Sequence, residues 1–375
     1  MSNFDDIVSK VKKDYGNNEL IVIGKNISDV ERLPFPSPSA NYPFYGGVPK
    51  GRVIQISGLE HSGKTALALT LVAEYQKLNL KKKVAFVDVE HALDKIWAQK
   101  LGVDLSKMYY IDPLEMSGEQ VLTVLSQLFE AEDLGLVVLD SVAALSTQEE
   151  FDTKDITKVS YQSMAKPLSK WFRIVNEQLR RNGGTLICIN QLRANIGNMY
   201  QPWIEPAGAA LKFASSISIR CGTRKFINEK GEEGTDSMED PQGIRIKFKV
   251  VKNKITVNNR GGGYLTVRFR SGVDVISDTL DIAVLMGIVK QAGAWIQLID
   301  KETGEILQDK NGELLKFNGK QRLREWFHKN PEEFYKYRNK VNEELSRYDE
   351  YNGAPQFKLV DDNDGFIKDE EIKEF

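Results

Sequence analysis

The chain has 375 residues, 41% of them hydrophobic and 28% charged, with a net charge of −2. That length holds one large α/β core with smaller appendages, and the balance is that of a soluble globular chain with no apolar run long enough to span a bilayer. The charged N-terminus lacks the apolar core of a secretory signal, and the two cysteines, Cys188 and Cys221, sit in apolar strand-like runs as buried free thiols rather than a disulfide or metal site, so a cytoplasmic protein is expected.

In chain order, residues 4–15 carry a helical pattern. ELIVIG (19–24) reads as a short strand, and the Pro-, Ser- and Gly-rich FPSPSANYPFYGGVP as a connector. From residue 52 the pattern alternates. RVIQIS, KVAFVDV, MYYID, LGLVVLD and TLICIN read as strands, separated by helical stretches at 64–80, 92–102, 119–132 and about 160–181. LGLVVLD is apolar throughout, as a strand buried on both faces should be. The alternation predicts an α/β fold with a mostly parallel twisted sheet and helices on both faces. After 213, SSISIRCGTRKF, GIRIKFKVVKNK and GYLTVRFRS read as further strands added antiparallel at the sheet edge. A helix, a strand and a charged helical region then form a small second domain. The last 15 residues, DDNDGFIKDEEIKEF, hold seven acidic and two basic side chains, so the rest of the chain is net positive. No internal repeat is evident.

GLEHSGKT, residues 58–65, follows a strand and opens a helix, the context that a phosphate-cradling loop requires. Gly58, Leu59, Glu60, His61, Ser62 and Gly63 would turn backbone N–H groups onto phosphate oxygens. Lys64 would reach the β and γ phosphates, and the Thr65 hydroxyl would ligate Mg²⁺. The apolar strand ending at Asp140 places a carboxylate beside the phosphate loop, where it can hold the Mg²⁺ shell. Alone, Asp140 is equally well a strand-terminating cap. Glu90, just past another apolar strand, suits a group that polarises an attacking water. Asp88 and His91 flank it as weaker candidates. Lys252 and Lys254, at i and i+2, share one face of a strand.

Together GLEHSGKT, FVDVEHALD, WAQKLGVD, LDSVAAL, INQLR, ALKF, KVVKNK and QAGAW resemble, in order and spacing, the bacterial RecA recombinases over about residues 5–345. The resemblance implies a RecA-type ATPase core, with ATP and Mg²⁺ as cofactors. It divides the chain into a polymerisation arm (1–35), an ATPase and DNA-binding core (36–272), a small α/β domain (273–350) and an acidic tail (351–375). It implies that Glu90 activates water, that Asp94 and Trp97 contact the adenine, and that Ser141 follows the metal aspartate. Gln191 would sense the γ-phosphate. Lys252 and Lys254 would reach the ATP of a neighbouring subunit, as an arginine finger does. Without the resemblance, Trp97 is a helix residue packing on the sheet and Gln191 a solvent-facing strand end.

Two irregular segments, 146–162 and 193–210, match the family's DNA-binding loops. Met164, Lys166 and Arg173 would serve the first, and Arg193, Asn195, Gly208 and Lys212 the second. Phe213 would sit at the subunit interface. The family shows a Gly-Gly pair before Asn-Ala-Leu-Lys-Phe; here the run is AGAALKF, with Ala207 and Ala209, which changes the backbone freedom at 207. VDDNDGFIKDEE (360–371) approximates a calcium loop, but Val360 at the first ligand position favours a solvated acidic tail. The implied partners are single-stranded DNA, homologous duplex DNA, further copies of the chain in a helical filament, and single-strand-binding and mediator proteins, with no membrane. A ring-shaped helicase motor, or a regulatory filament without strand exchange, are the competing functions.

Overall fold

The computed structural model describes residues 3–346 apart from 27–28, 80, 153–162, 195–202, 207, 236, 257–259 and 301. The chain forms two compact units, Met1–Glu31 and Arg32–Phe375. In the first, α1 (Phe4–Asp14) places Asp5 and Asp6 in its opening turn and Lys12 and Lys13 in its last, complementing the helix dipole. No residue of α1 is buried. The strand expected at 19–24 does not form; the segment runs through turns into a 3-10 turn at Gly24–Asn26. A single extended segment needs a neighbouring backbone to satisfy its N–H and C=O groups.

In the second unit a small ladder joins β1 (Arg32–Leu33) to β2 (Val48–Pro49) around a short helix, α2 (Pro38–Asn41). The alternating region follows as β3 (Val53–Gly58), α3 (Lys64–Leu78), β4 (Lys83–Asp88), α4 (Lys95–Lys100), β5 (Met108–Ile111), α5 (Gly118–Leu128), β6 (Leu134–Asp140), α6 (Gln148–Asp152), α7 (Ala165–Asn182) and β7 (Thr185–Gln191). A small ladder, β8 (Arg193–Ala194) with β9 (Trp203–Ile204), precedes α8 (Gly208–Ala214) and β10 (Ile217–Cys221). Then come β11 (Lys225–Ile227), β12 (Glu233–Gly234), β13 (Gly243–Asn253), β14 (Gly262–Arg268) and β15 (Gly272–Val273).

The central sheet runs β12-β11-β13-β10-β3-β7-β6-β4-β5, with β14 and β15 continuing from β13. From β10 to β5 every pairing is parallel; from β13 outward they are antiparallel. The antiparallel expectation therefore fails for β10, which lies parallel to β3 because α8 carries the chain back across the sheet. Alternate residues face opposite layers. Ile54, Ile56, Val84, Phe86, Leu136, Val138, Ile187 and Ile189 pack with Leu67 and Leu71 of α3. Val53, Ala85, Val87, Val137, Leu139, Leu186 and Cys188 pack with Leu125 of α5 and Leu168, Trp171 and Val175 of α7. This two-sided burial is why these strands are largely apolar; Gln55 and Ser57 of β3 are buried polar exceptions. Both cysteines are buried and free. The long helix begins at 165 rather than about 160, with Pro167 in its first turn, where the missing N–H has no partner to lose.

The 35–49 segment is the largest departure from expectation. Its composition predicts a connector rather than an element, yet it holds α2 and is largely buried. Phe35, Phe44 and Phe248 stack with ring centroids 5.9–6.1 Å apart. Asn41 accepts from the Phe35 N–H (2.7 Å) and donates to the Phe35 carbonyl (2.9 Å). Ser39 Oγ donates to the Tyr264 carbonyl at 2.8 Å. Small hydroxyl and amide side chains satisfy backbone groups inside the core, so polar composition did not mean exposure.

The C-terminal part consists of α9 (Val275–Leu285), the antiparallel sheet β16 (Val289–Ala292), β17 (Trp295–Leu298) and β18 (Lys316–Asn318), then α10 (Lys320–Lys329) and α11 (Pro331–Ser346). Leu280, Phe327, Tyr337 and Val341 centre its core, which also takes in Tyr42 from the buried segment. Asp278 of α9 joins three elements: its Oδ2 accepts from Ser37 Oγ (2.7 Å) and from the Thr266 N–H (3.0 Å). Burial pushes its carboxyl up to about 7, against the pull of the Arg245 guanidinium and of the Thr266 and Ser37 donors. Asp281 and Tyr264 lie in the same polar group, with Tyr264 donating to Asp281 at 2.8 Å. A raised carboxyl stabilises the fold fully below its unfolded value near 3.8, and that contribution is lost as pH rises through about 7. The thermal midpoint is therefore expected to fall by about 2 °C per pH unit between about pH 5 and 7 and to level off above that. Asp278→Asn should remove that slope in calorimetry, and equal slopes for the two proteins would contradict the assignment.

Candidate nucleotide and nucleic-acid site

The parallel strands bring their C-terminal ends to one edge. Gly58 stands opposite Gln191 across β3 and β7, and Asp88 opposite Asp140 across β4 and β6. Ligands of open α/β sheets gather at such an edge. Beyond β3, Ser62 Oγ and Lys64 Nζ each donate to the Leu59 carbonyl at 2.7 Å, closing the 58–65 loop on itself. Gly63 has φ +88°, and a Cβ there would lie 2.7 Å from Ile246 Cδ1, so the position requires glycine. Lys64 opens α3, whose N-terminal N–H groups face the loop. Burial lowers the Lys64 pKa, opposed by Cys221, Asp140, Glu90 and Glu60.

At the end of β6, Asp140 Oδ2 accepts from Thr65 Oγ1 at 2.7 Å. Burial raises the Asp140 carboxyl to about 6; the Thr65 hydrogen bond opposes the rise, while Glu90 and Asp88 add to it. A hydroxyl and a carboxylate side by side are hard oxygen donors, and they fit Mg²⁺ that takes its remaining ligands from phosphate and water. Among the described residues no group of three or more His, Cys, Asp or Glu side chains forms a metal cage.

Glu90 is gripped from two strands. Ser141 Oγ donates to its Oε1, and Gln191 Nε2 donates to the same oxygen at 2.6 Å. The turn carrying Glu90 is fixed by Asp88, which accepts from the N–H groups of Ala92 (3.2 Å) and Leu93 (3.0 Å) and from the Tyr110 hydroxyl (3.1 Å). His91 Nδ1 lies 3.1 Å from Asp112, a structural pairing. Asp94 caps α4 by accepting from the N–H groups of Ile96 and Trp97. Trp97, half-buried, packs 6.3 Å from Phe269.

The residues expected to meet DNA divide. Lys166 and Arg173 are exposed on α7, and Lys212 and Phe213 on α8, with Phe213 67% exposed. Arg193 Nη2 donates to the Ala143 carbonyl at 2.9 Å, holding the start of the second segment to the turn after Ser141. Gly208 opens α8. Met164 does not face solution: it is buried in the core against Gly118, because a thioether chain at that position fills the gap between α5 and α7. Asn195, Ala207, most of the first segment and the acidic tail lie outside the described residues. Lys252 and Lys254 do share a face. Lys252 Nζ donates to the Lys212 carbonyl, and Lys254 Nζ donates to that of Phe213 at 3.2 Å, at the negative end of α8.

Sequence ranked Asp88 below Glu90, and in the structure Asp88 fixes the turn that carries it. One group it did not mark at all. Glu205 Oε2 accepts from Gln55 Nε2 of β3 at 3.0 Å, a contact between residues far apart in the chain that no local pattern signals.

Fold and site define a phosphate-loop nucleotide-binding protein of the α/β class, with Glu90 hydrogen-bonded to Gln191 at the strand end before a second segment. The sequence profile of the RecA N-terminal domain matches residues 2–274. Over 301 residues the chain is 36% identical to Protein RecA of Ruminococcus albus, covering 80% of this chain and 72% of that one. It is 32% identical to Protein RecA of Mesoplasma florum (90% and 94% covered) and 32% identical to that of Thermus aquaticus (92% and 95%). The solved structure of the RadB recombinase aligns with 64% of this chain and 97% of that one, at 20% identity and a TM-score of 0.44. The chain belongs to the RecA family, the recombinases of homologous pairing and DNA repair.

Proposed function

We propose that the chain is a DNA-dependent ATPase that assembles as a helical filament on single-stranded DNA, pairs it with homologous duplex, and hydrolyses ATP between two copies. The observation that carries this is the Gln191–Glu90 hydrogen bond of 2.6 Å, which ties the strand end before the second DNA segment to the group beside Thr65 and Asp140. Lys64 binds phosphate, and Thr65 and Asp140 hold Mg²⁺, which when bound neutralises phosphate charge. Glu90 accepts the proton of the attacking water. Gln191 carries a neutral amide that can leave Glu90 for the γ-phosphate and move the segment beyond it. Lys252 and Lys254, supplied by the next copy, stabilise charge on the transferring phosphoryl. Asp94 and Trp97 flank the base.

Lys166, Arg173, Arg193, Asn195, Gly208 and Lys212 form the DNA-binding surface, where basic groups engage the backbone without reading sequence. Residues 1–35 serve as the polymerisation arm and Phe213 as an interface contact, a head-to-tail arrangement that propagates rather than closes. Residues 36–272, 273–350 and 351–375 are the core, the small domain and the tail. No described helix is long and apolar enough to cross a membrane, and the proposed site of action is the cytoplasm, with single-strand-binding and mediator proteins as assisting partners.

A strand-exchange assay tests this reading. With ATP, Mg²⁺ and single-stranded DNA, joint molecules are expected with homologous duplex and not with heterologous duplex. Unwinding without pairing would indicate a ring motor, and DNA binding with turnover but no joint molecules a regulatory filament.

A further inference from the structure

We infer that Glu205 is a positioning residue that pins the exit of the 193–210 segment to the strand carrying the phosphate loop. Given the DNA-dependent ATPase proposed above, DNA held by that segment and nucleotide held by that loop are then coupled through one carboxylate.

The geometry is specific. Gln55 lies in β3, three residues before Gly58, and is 1% exposed. Its amide N–H donates to Glu205 Oε2 at 3.0 Å. The other carboxylate oxygen lies 3.9 Å from Arg220 Nη2 on the adjacent strand β10. From Gln55 the hydrogen bonds continue. Ser218 Oγ lies 3.2 Å from Gln55 Oε1 and 2.9 Å from Ser215 Oγ, which lies 3.1 Å from the Lys212 carbonyl; with one proton each, the two hydroxyls form two of these three bonds at a time. That carbonyl also accepts from Lys252. One continuous polar path therefore joins the segment's exit, the floor of the phosphate loop, the end of α8 and a lysine of the proposed trans pair.

A second pin lies beside it. Asn190, in β7 immediately before Gln191, donates from Nδ2 to the Pro206 carbonyl at 2.8 Å. The segment's exit is thus held to both neighbouring strands, to β3 through Glu205 and to β7 through Pro206. A carboxylate this enclosed is costly unless every partner stays in place, so displacing Glu205 disturbs Gln55 and Arg220 together. A chain of hydroxyl and amide groups between packed strands has discrete bonded arrangements rather than a soft continuum, which suits it to transmit a shift.

The test uses the full chain with Glu205→Ala and Glu205→Gln. Gln retains an acceptor for Gln55, whereas Ala retains nothing. With a thymidine oligonucleotide as the DNA, Glu205→Ala is expected to raise the DNA concentration for half-maximal ATP turnover by about tenfold or more, the size of one lost charge-assisted bond. The KM for ATP at saturating DNA should stay within about twofold. Glu205→Gln should recover most of the DNA response. Half-saturation within about twofold of wild type for Glu205→Ala would overturn the inference. So would a Gln variant as impaired as the Ala variant, or equal losses in DNA response and ATP KM.

A second measurement stands apart from the ATPase reading. Hydrogen exchange of the amides of residues 208–215, without DNA or nucleotide, should quicken in Glu205→Ala. Unchanged exchange overturns the pin even if the wild-type protein proves not to be a DNA-dependent ATPase. Absence of DNA-stimulated turnover in the wild type, with exchange quickened as expected, would instead sink the functional reading and leave the pin standing.

Discussion

Replacing Lys252 and Lys254 together with alanine is expected to lower DNA-stimulated ATP turnover by about 10³-fold or more, the range of a missing trans cation on a transferring phosphoryl group. Within one chain both ammonium groups cap the end of α8. Losing that capping costs about 0.3–1 kcal/mol per charge. A 10³-fold loss of rate corresponds to about 4 kcal/mol. Loosening of α8 alone is therefore too small to produce the expected loss. Steady-state turnover with single-stranded DNA, read beside thermal unfolding of the DNA-free variant, separates the two effects. A loss under about tenfold would confine the lysines to helix capping.

Glu90→Gln should lower kcat by about 10²–10⁴-fold, the usual contribution of a positioned general base, with little change in KM for ATP. The amide oxygen still accepts from Ser141 and Gln191 but cannot take a proton, so the site keeps its shape and loses its base. Such a variant should bind ATP and remain assembled on DNA, since hydrolysis is what favours release in the proposed cycle. Single-turnover kinetics measure the step directly; a rate constant within about tenfold of wild type would assign the water to another group.

Much of the fold was legible. The strands from Val53 to Gln191 are largely apolar, β6 on both faces throughout, and the helices between them carry their own period, so the parallel sheet followed from pattern alone. The phosphate loop, Asp140 and Glu90 were legible because each ends a strand whose direction places it at one edge. What escaped shares a physical cause. The 35–49 segment looked like a connector, yet Ser37 and Ser39 bond to Asp278 and Tyr264 far along the chain, and Asn41 satisfies the backbone of Phe35. The direction of β10 depends on the path of α8 over the sheet, which no strand pattern encodes. At 19–24 strand propensity was present, but no neighbouring backbone paired with it among the described residues. Met164 was read from its position, whereas packing between α5 and α7 decides where it points.

The central claim is that the catalytic site is completed by a second copy. Mixing two inactive proteins tests it most directly. Glu90→Gln keeps both lysines, and Lys252→Ala/Lys254→Ala keeps Glu90. In a filament of equal parts, about a quarter of the interfaces join an intact Glu90 to intact lysines. DNA-stimulated turnover in the mixture is expected to return to about that fraction of wild type, far above either protein alone. A mixture no more active than the sum of its two components would contradict a shared site.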